Sequence, residues 1–193
     1  KQSLEGEHVG AYVTFDTQEN QIVEAKISSS FISHEQAWVN LNRELPDSKN
    51  FNDIKNEGRK TWNDELSKIR VESDNTDYGI SNKTKFYSCF YRTILFPRQF
   101  HEYDENGKQI HYSPYNGKIL DGPLYTDNGF WDTFRAVFPF YSILYPEKLG
   151  EIMQGIMVNP YLESGWLPEW SSPGHRDCMI GSNSASIIAE AYI

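Results

Sequence analysis

The chain has 193 residues, 27 acidic against 18 basic, and a formal charge of −9. That length suits one domain, or a domain and a half, with a sizeable core. The acid excess and the lack of any Lys/Arg block argue against a nucleic-acid partner, and no apolar run is long enough to cross a bilayer.

Aromatic residues make up 15% of the chain, with 12 Tyr and 5 Trp. They suit either a large aromatic core or a sugar site, where ring faces stack on the apolar faces of sugars. Cys89 and Cys178 are too few for a disulfide scaffold and form no CxxC metal pattern, so both read as small buried hydrophobes. The chain starts at Lys1 without Met and stops at Ile193 inside a helical pattern. It therefore reads as a segment of a longer polypeptide.

Three zones follow one another. Residues 9–32 read as strands: Val9, Tyr12 and Phe15 fall in one β-rich run, and Ile22, Val23, Ile27, Phe31 and Ile32 in another. Two strands make no stable sheet alone, so they are expected to pair with a sheet upstream of Lys1. The second zone, residues 33–78, is helical. Ser33 with Gln36 fits a capping box, and Ala37, Trp38, Leu41 and Leu45 recur at helical spacing up to Pro46. A second helix is predicted over 51–69, and residues 74–78 read as a linker.

The third zone, residues 79–193, begins with a helix from about Ser81 that ends at Pro97. Residues 98–128 read as a long loop with a hairpin turn at Asn106-Gly107. Helical pattern returns at Gly129, with Phe130, Phe134, Val137, Phe138 and Tyr141 on one face and a kink at Pro139. Pro146 opens a further helix. Residues 161–181 read as a structured loop. A last helix from Ser182 or Ser184 carries Ala185, Ile188, Ala189 and Tyr192 on one face.

Two constellations carry chemistry. Asp127 or Asn128 can cap a helix whose first turn holds Trp131 and Asp132. An Asp there can accept sugar hydroxyls while the indole packs on a ring. The plainer alternative is that Asp132 complements the helix dipole and Trp131 is core. The second constellation is Gly165-Trp166-Leu167-Pro168-Glu169-Trp170, followed by Pro173 to Met179 with Arg176, Asp177 and Cys178. Its charges suit a polar rim, or a stiff loop whose ion pairs are internal. Glu169 and Asp132 could be imagined as a carboxylate pair for glycoside hydrolysis, although spacing alone does not establish one. His34, His101, His111 and His175 show no metal-ligand spacing, and no GxSxG, Walker, GxGxxG or HExxH motif occurs.

From Phe31 onward the chain resembles the calcium-dependent α-mannosidases of glycoside hydrolase family 92. Phe31 to Ala37 resembles the family's SFVSxEQA segment. Phe86 to Arg98 resembles FYTALYRTLLHPR, Trp131 to Arg135 matches WDTFR, and Gly165 to Tyr192 resembles GWLPKWxxxGxxxxCMxGxxxxxVIADAY. The resemblance implies a fold that is mainly α with a short N-terminal β segment: the last strands of a β-sandwich (1–32), linker helices (33–78), and the start of an (α/α)6 catalytic barrel (79–193).

It further implies part of an inverting, exo-acting α-mannosidase that removes terminal mannose, with α-1,2 linkage as the expectation. A calcium ion would hold two mannose hydroxyls and help distort the ring, with a Glu as general acid and an Asp as general base. The GNEP-like and GNDD-like motifs that carry those carboxylates do not occur here. No catalytic residue and no metal ligand is therefore assigned, and the main calcium ligands are expected outside this segment. By motif match Trp131 and Asp132 bind the terminal sugar. Glu169, Trp170 and Cys178 would line the pocket or its leaving-group side, and His175, Arg176 and Asp177 would contact the second sugar.

The implied partners are mannose-containing glycans and the remainder of the same polypeptide, in a secreted, periplasmic or cell-surface setting. The segment alone is expected to be inactive and to fold poorly, because its apolar helix stripes lack partners. Two alternatives stand beside this reading: a non-catalytic carbohydrate-binding or scaffold segment, and another (α/α)6 sugar hydrolase or phosphorylase.

Overall fold

The computed structural model describes residues 6–192. The chain is mainly helical with short strands. Helices α1 (His34–Glu44), α2 (Phe51–Leu66) and α3 (Asp77–Thr93) lead into strands β1 (Arg98–Gln99), β2 (Glu102–Tyr103), β3 (Gln109–Tyr112), β4 (Ile119–Asp121), β5 (Tyr125–Thr126) and β6 (Asn128–Gly129). Then come α4 (Phe130–Thr133), α5 (Val137–Leu144), α6 (Pro146–Met153), a π-helical turn (Gln154–Val158), α7 (Asn159–Ser164), β7 (Trp170–Ser171) and α8 (Asn183–Tyr192). Three antiparallel sheets result: β1 with β5, the meander β2-β3-β4, and β6 with β7.

The expected strands of residues 9–32 join no ladder among the described residues. They run extended and largely exposed, because an isolated pair of short strands buries too little apolar surface to hold its own hydrogen bonds. Residues 1–5 of that expected zone lie outside the described residues.

Local capping sets most helix starts. Ser33 Oγ accepts from Gln36 N at 3.1 Å, as the sequence suggests. Gln36, however, does not return to the cap. It is buried and donates through Nε2 to Tyr103 O at 2.8 Å, which docks α1 on β2. Glu102 completes that joint, accepting from Phe31 N at 2.8 Å and from Asn40 Nδ2 at 2.6 Å. A reciprocal capping box forms at α2, between Asn50 and Asp53. Helix α3 starts earlier than its apolar pattern implies, because Thr76 Oγ1 accepts from Gly79 N at 3.1 Å and so brings the polar residues 77–80 into the first turns.

Four further expectations change. The long loop over 98–128 is a meander: its turn lies where Asn106-Gly107 predicts, with Gly107 at φ +79°, but strands this short carry no readable alternation. Pro139 makes no kink. It is the third residue of α5, where a missing N–H leaves nothing unpaired, and the break falls instead at residues 134–136. Helix α7 extends to Ser164, ended by Gly165 at φ +80°. The π turn before it accommodates Pro160, which would otherwise interrupt the ladder. Finally, α8 buries Ser184 and Ile187, whereas Tyr192 on the expected face is 91% exposed.

The core comprises Tyr125, Phe130, Phe138, Tyr141, Leu149, Ile152, Ile156, Met157 and Ile187. The Tyr141 hydroxyl lies 2.6 Å from Thr93 O and pins the end of α3 to this core. Two buried histidines fasten the meander to the helices. His101 Nδ1 accepts from Leu124 N at 3.2 Å. His111 places Nε2 2.9 Å from Glu163 Oε1 and Nδ1 2.9 Å from Gly122 O.

Burial holds His101 below the ordinary imidazole pKa, against smaller contributions from the Leu124 carbonyl and Glu151. Burial also opposes charge on His111, but the Glu163 carboxylate and the Gly122 carbonyl together outweigh it and raise the value. The contribution of His111 to stability is therefore complete below pH 6.5 and lost as pH rises through its raised folded value. That of His101 is complete above pH 6.5 and lost as pH falls through its lowered one. Histidine Hε1 titration by NMR in the intact protein should place His101 below and His111 above 6.5; the reverse order would refute this assignment.

Candidate functional site

The two sequence constellations meet at the β6–β7 ladder. Its register pairs Asn128 with Ser171 and Gly129 with Trp170. The first helical N–H of α4 extends the pairing, with Phe130 N donating to Glu169 O at 3.1 Å. Residues 131–132 are thus carried on the same short sheet as residues 169–171, although about forty positions separate them in the chain.

Gly129 makes the approach possible. A Cβ on it would lie 2.3 Å from Trp170 Cε3 and 2.4 Å from Cζ3, so the indole covers the place where a side chain would stand. Neither Asp127 nor Asn128 caps α4; the cap residue is Gly129, with no side-chain bond. Asn128 is buried, and its Oδ1 accepts from Thr133 Oγ1 at 2.7 Å. Asp127 turns the other way, accepting from Arg98 Nε at 2.5 Å and from Ser172 Oγ at 2.7 Å.

Trp131 and Asp132 stand on the surface, and Trp131 is 47% exposed. The Arg135 guanidinium sits 4.8 Å from the centre of the Trp131 ring, a cation–π contact that orients the indole.

Glu169 faces elsewhere. Oε2 accepts from Asn183 N at 3.0 Å, and Oε1 accepts from Ser184 Oγ at 2.5 Å and Ser184 N at 3.2 Å. Its carboxylate closes the start of α8, a placement favoured by the helix dipole, and both oxygens are engaged there. Asp132 and Glu169 therefore do not stand as a free carboxylate pair. Trp170 is half-buried against Gly129. Arg176 is exposed, donating through Nε to Ser172 O at 2.6 Å, and Asp177 and Cys178 lie exposed beside it.

Reading by motif missed Asp127, Arg98 and Ser172 as a joint. The signal available was an Asp directly before a buried Asn-Gly pair, with a lone Arg after Pro97. Neither implies the other without the fold.

The family profile of the glycosyl hydrolase family 92 catalytic domain matches residues 36–193. The chain belongs to glycoside hydrolase family 92. A solved family 92 inverting mannosidase from Bacteroides thetaiotaomicron is 50% identical with a TM-score of 0.78, over 84% of this chain and 21% of that one. A family 92 α-mannosidase from the same organism is 27% identical with a TM-score of 0.68, over 83% of this chain and 21% of that one. An uncharacterized secreted glycosidase of Arthroderma benhamiae is 25% identical over 95% of this chain and 19% of its own length. The chain thus spans about a fifth of the length of the relatives it matches. The family profile spans the β6–β7 junction, so the turn and the loop fall within one matched region.

Three variants test the junction in the intact protein. Gly129→Ala must push Trp170 aside, with a destabilisation of about 1–3 kcal/mol from overpacking and a changed tryptophan emission; an unshifted spectrum with unchanged Tm would contradict the packing. Glu169→Ala strips the start of α8 of its anion, lowering stability by about 1–2 kcal/mol. Glu169→Gln should recover part of this in calorimetry, since its Oε1 still accepts. Equal Tm for all three proteins would show that the cap contributes nothing.

Proposed function

We propose that this chain is the sugar-gripping opening segment of the catalytic domain of an inverting, exo-acting α-mannosidase, following the last strands of a β-sandwich and a pair of linker helices. The observation that carries the reading is the exposed Trp131–Asp132 turn, held on the same ladder as residues 169–171, in a chain 50% identical to a family 92 inverting mannosidase over the shared region. The helices of residues 79–193 would open an (α/α)6 barrel completed by the rest of the polypeptide.

In this reading Asp132 accepts hydrogen bonds from two hydroxyls of the terminal mannose, and the Trp131 ring packs on the apolar face of the sugar. Arg135 covers one face of the indole, so the sugar takes the other. Trp170, Arg176, Asp177 and Cys178 form the rim that meets the second sugar and so bear on linkage, with α-1,2 proposed. Inversion needs a general acid and a base on opposite sides of the scissile bond, about 6.5–9.5 Å apart. Both are proposed in the remainder of the polypeptide, since Glu169 is engaged with α8.

The family resemblance brings in calcium, a hard cation that would hold mannose hydroxyls through oxygen ligands. No group of three or more His, Cys, Asp or Glu side chains converges on a metal position among the described residues. The calcium ligands are proposed in the remainder of the polypeptide. No helix among the described residues is long and apolar enough to cross a membrane. With a relative named as secreted, we place the enzyme outside the cytoplasm, in a secreted, periplasmic or cell-surface setting, acting on mannose-containing glycans such as N-glycans.

Mannose release from α-mannobiosides by the full-length enzyme, with calcium and with EDTA, tests this. Asp132→Ala should lower kcat/KM by roughly 100-fold or more, the loss of two charge-assisted hydrogen bonds, with circular dichroism unchanged, and EDTA should abolish turnover. Indifference to both would overturn the reading.

A further inference from the structure

Asp127 sits where the chain leaves one ladder and enters another. It follows β5, which pairs with β1, and precedes β6, which pairs with β7. The change of direction at this single residue requires a left-handed backbone, and Asp127 has φ +59°. At Gly107, Gly117, Gly122, Gly165 and Gly181 the left-handed conformation is carried by glycine, which adopts it without a Cβ penalty. His8, Asn20 and Asp127 are the non-glycine residues that adopt it among the described residues, and Asp is a type that tolerates it; of these, Asp127 lies between the two ladders.

The role of its side chain is visible in its contacts. The carboxylate is only 17% exposed and spans both ladders. Oδ2 accepts from Arg98 of β1 through Nε at 2.5 Å and is also approached by Nη2, so one carboxylate oxygen meets both guanidinium nitrogens in a charge-assisted contact. Oδ1 accepts from Ser172 Oγ at 2.7 Å, one residue beyond β7. Ser172 O in turn receives Arg176 Nε at 2.6 Å. One carboxylate thereby ties the strand that launches Trp131 and Asp132 to the loop that carries Trp170 and Arg176.

We propose that Asp127 is a positioning residue that sets the spacing between the two halves of the sugar-binding face, the α4 turn for the terminal mannose and the 170–176 loop for the second sugar. This rests on the mannosidase reading above. Asp127 touches no substrate; it acts through the backbone on either side.

The test uses the full-length enzyme with Asp127→Asn, which tolerates the left-handed backbone but removes the charge, and Asp127→Gly, which relaxes the backbone and removes the carboxylate. Two substrates are compared: an α-mannobioside, which needs both halves, and an aryl α-mannoside, which needs the α4 turn alone. Misplacement of the two halves should lower kcat/KM on the mannobioside by about 10-fold or more in both variants, and on the aryl mannoside by less than about threefold. Arg98→Gln should reproduce the loss and add nothing to Asp127→Asn. A general loss of folded enzyme would lower both substrates equally, and that result, or no loss on either, overturns the proposal. If the wild-type enzyme releases mannose from neither substrate, the mannosidase reading fails by itself. Asp127 is then judged by amide hydrogen exchange in the same variants. Faster exchange in both 128–135 and 170–176 sustains the joint, and unchanged exchange refutes it.

Discussion

The backbone of Glu169 and its side chain point to two different helices. The carbonyl receives the first N–H of α4, and the carboxylate receives the first N–H groups of α8. Helix starts leave N–H groups without partners, and a short loop between two such starts satisfies both from one residue. The position of α4 therefore depends on that of α8, and the Trp131–Asp132 turn inherits its place from a residue thirty-odd positions later. The β6–β7 ladder is only two residues long on each side. It would be weak alone, but the Asp127 carboxylate ties one end to Ser172 and the Phe130 N–H to Glu169 carbonyl bond extends the other.

The aromatic richness of the chain divides between two uses. Phe130, Phe138 and Tyr141 are buried in the core, with rings at edge-on angles and centroids about 6 Å apart, the arrangement their quadrupoles favour. Trp131, adjacent to Phe130 in sequence, is turned outward. Successive residues of a helical turn point about 100° apart, so anchoring Phe130 in the core is what presents Trp131 and leaves Asp132 on the surface. The core and the candidate sugar face are thus two sides of one short helix.

Charge is distributed in the same economical way. Glu102 gathers the extended segment and α1, Glu151 and Glu163 meet the two buried histidines, Asp127 joins the ladders, and Glu169 caps α8. These carboxylates sit at joints between loops, short strands and helix starts, as suits a region where strands are too short to hold themselves. The exposed acids of α2 lie on solvent and pair locally with lysines, where each pair contributes little.

Sequence alone determined the helical zones, the hairpin turn at Asn106-Gly107, the helix start at Pro146 and the family, because periodicity, turn chemistry and capping are local properties written within a few residues. It also singled out Trp131 and Asp132, through an ordered motif. Tertiary structure alone decided which face of α8 is buried, since apolar residues surround that helix and Glu169 draws Ser184 inward. It alone decided that Glu169 serves a helix start, and that Asp127 joins Arg98 to Ser172. Partners this far apart in the chain are chosen by the packing of whole elements, which no local pattern records.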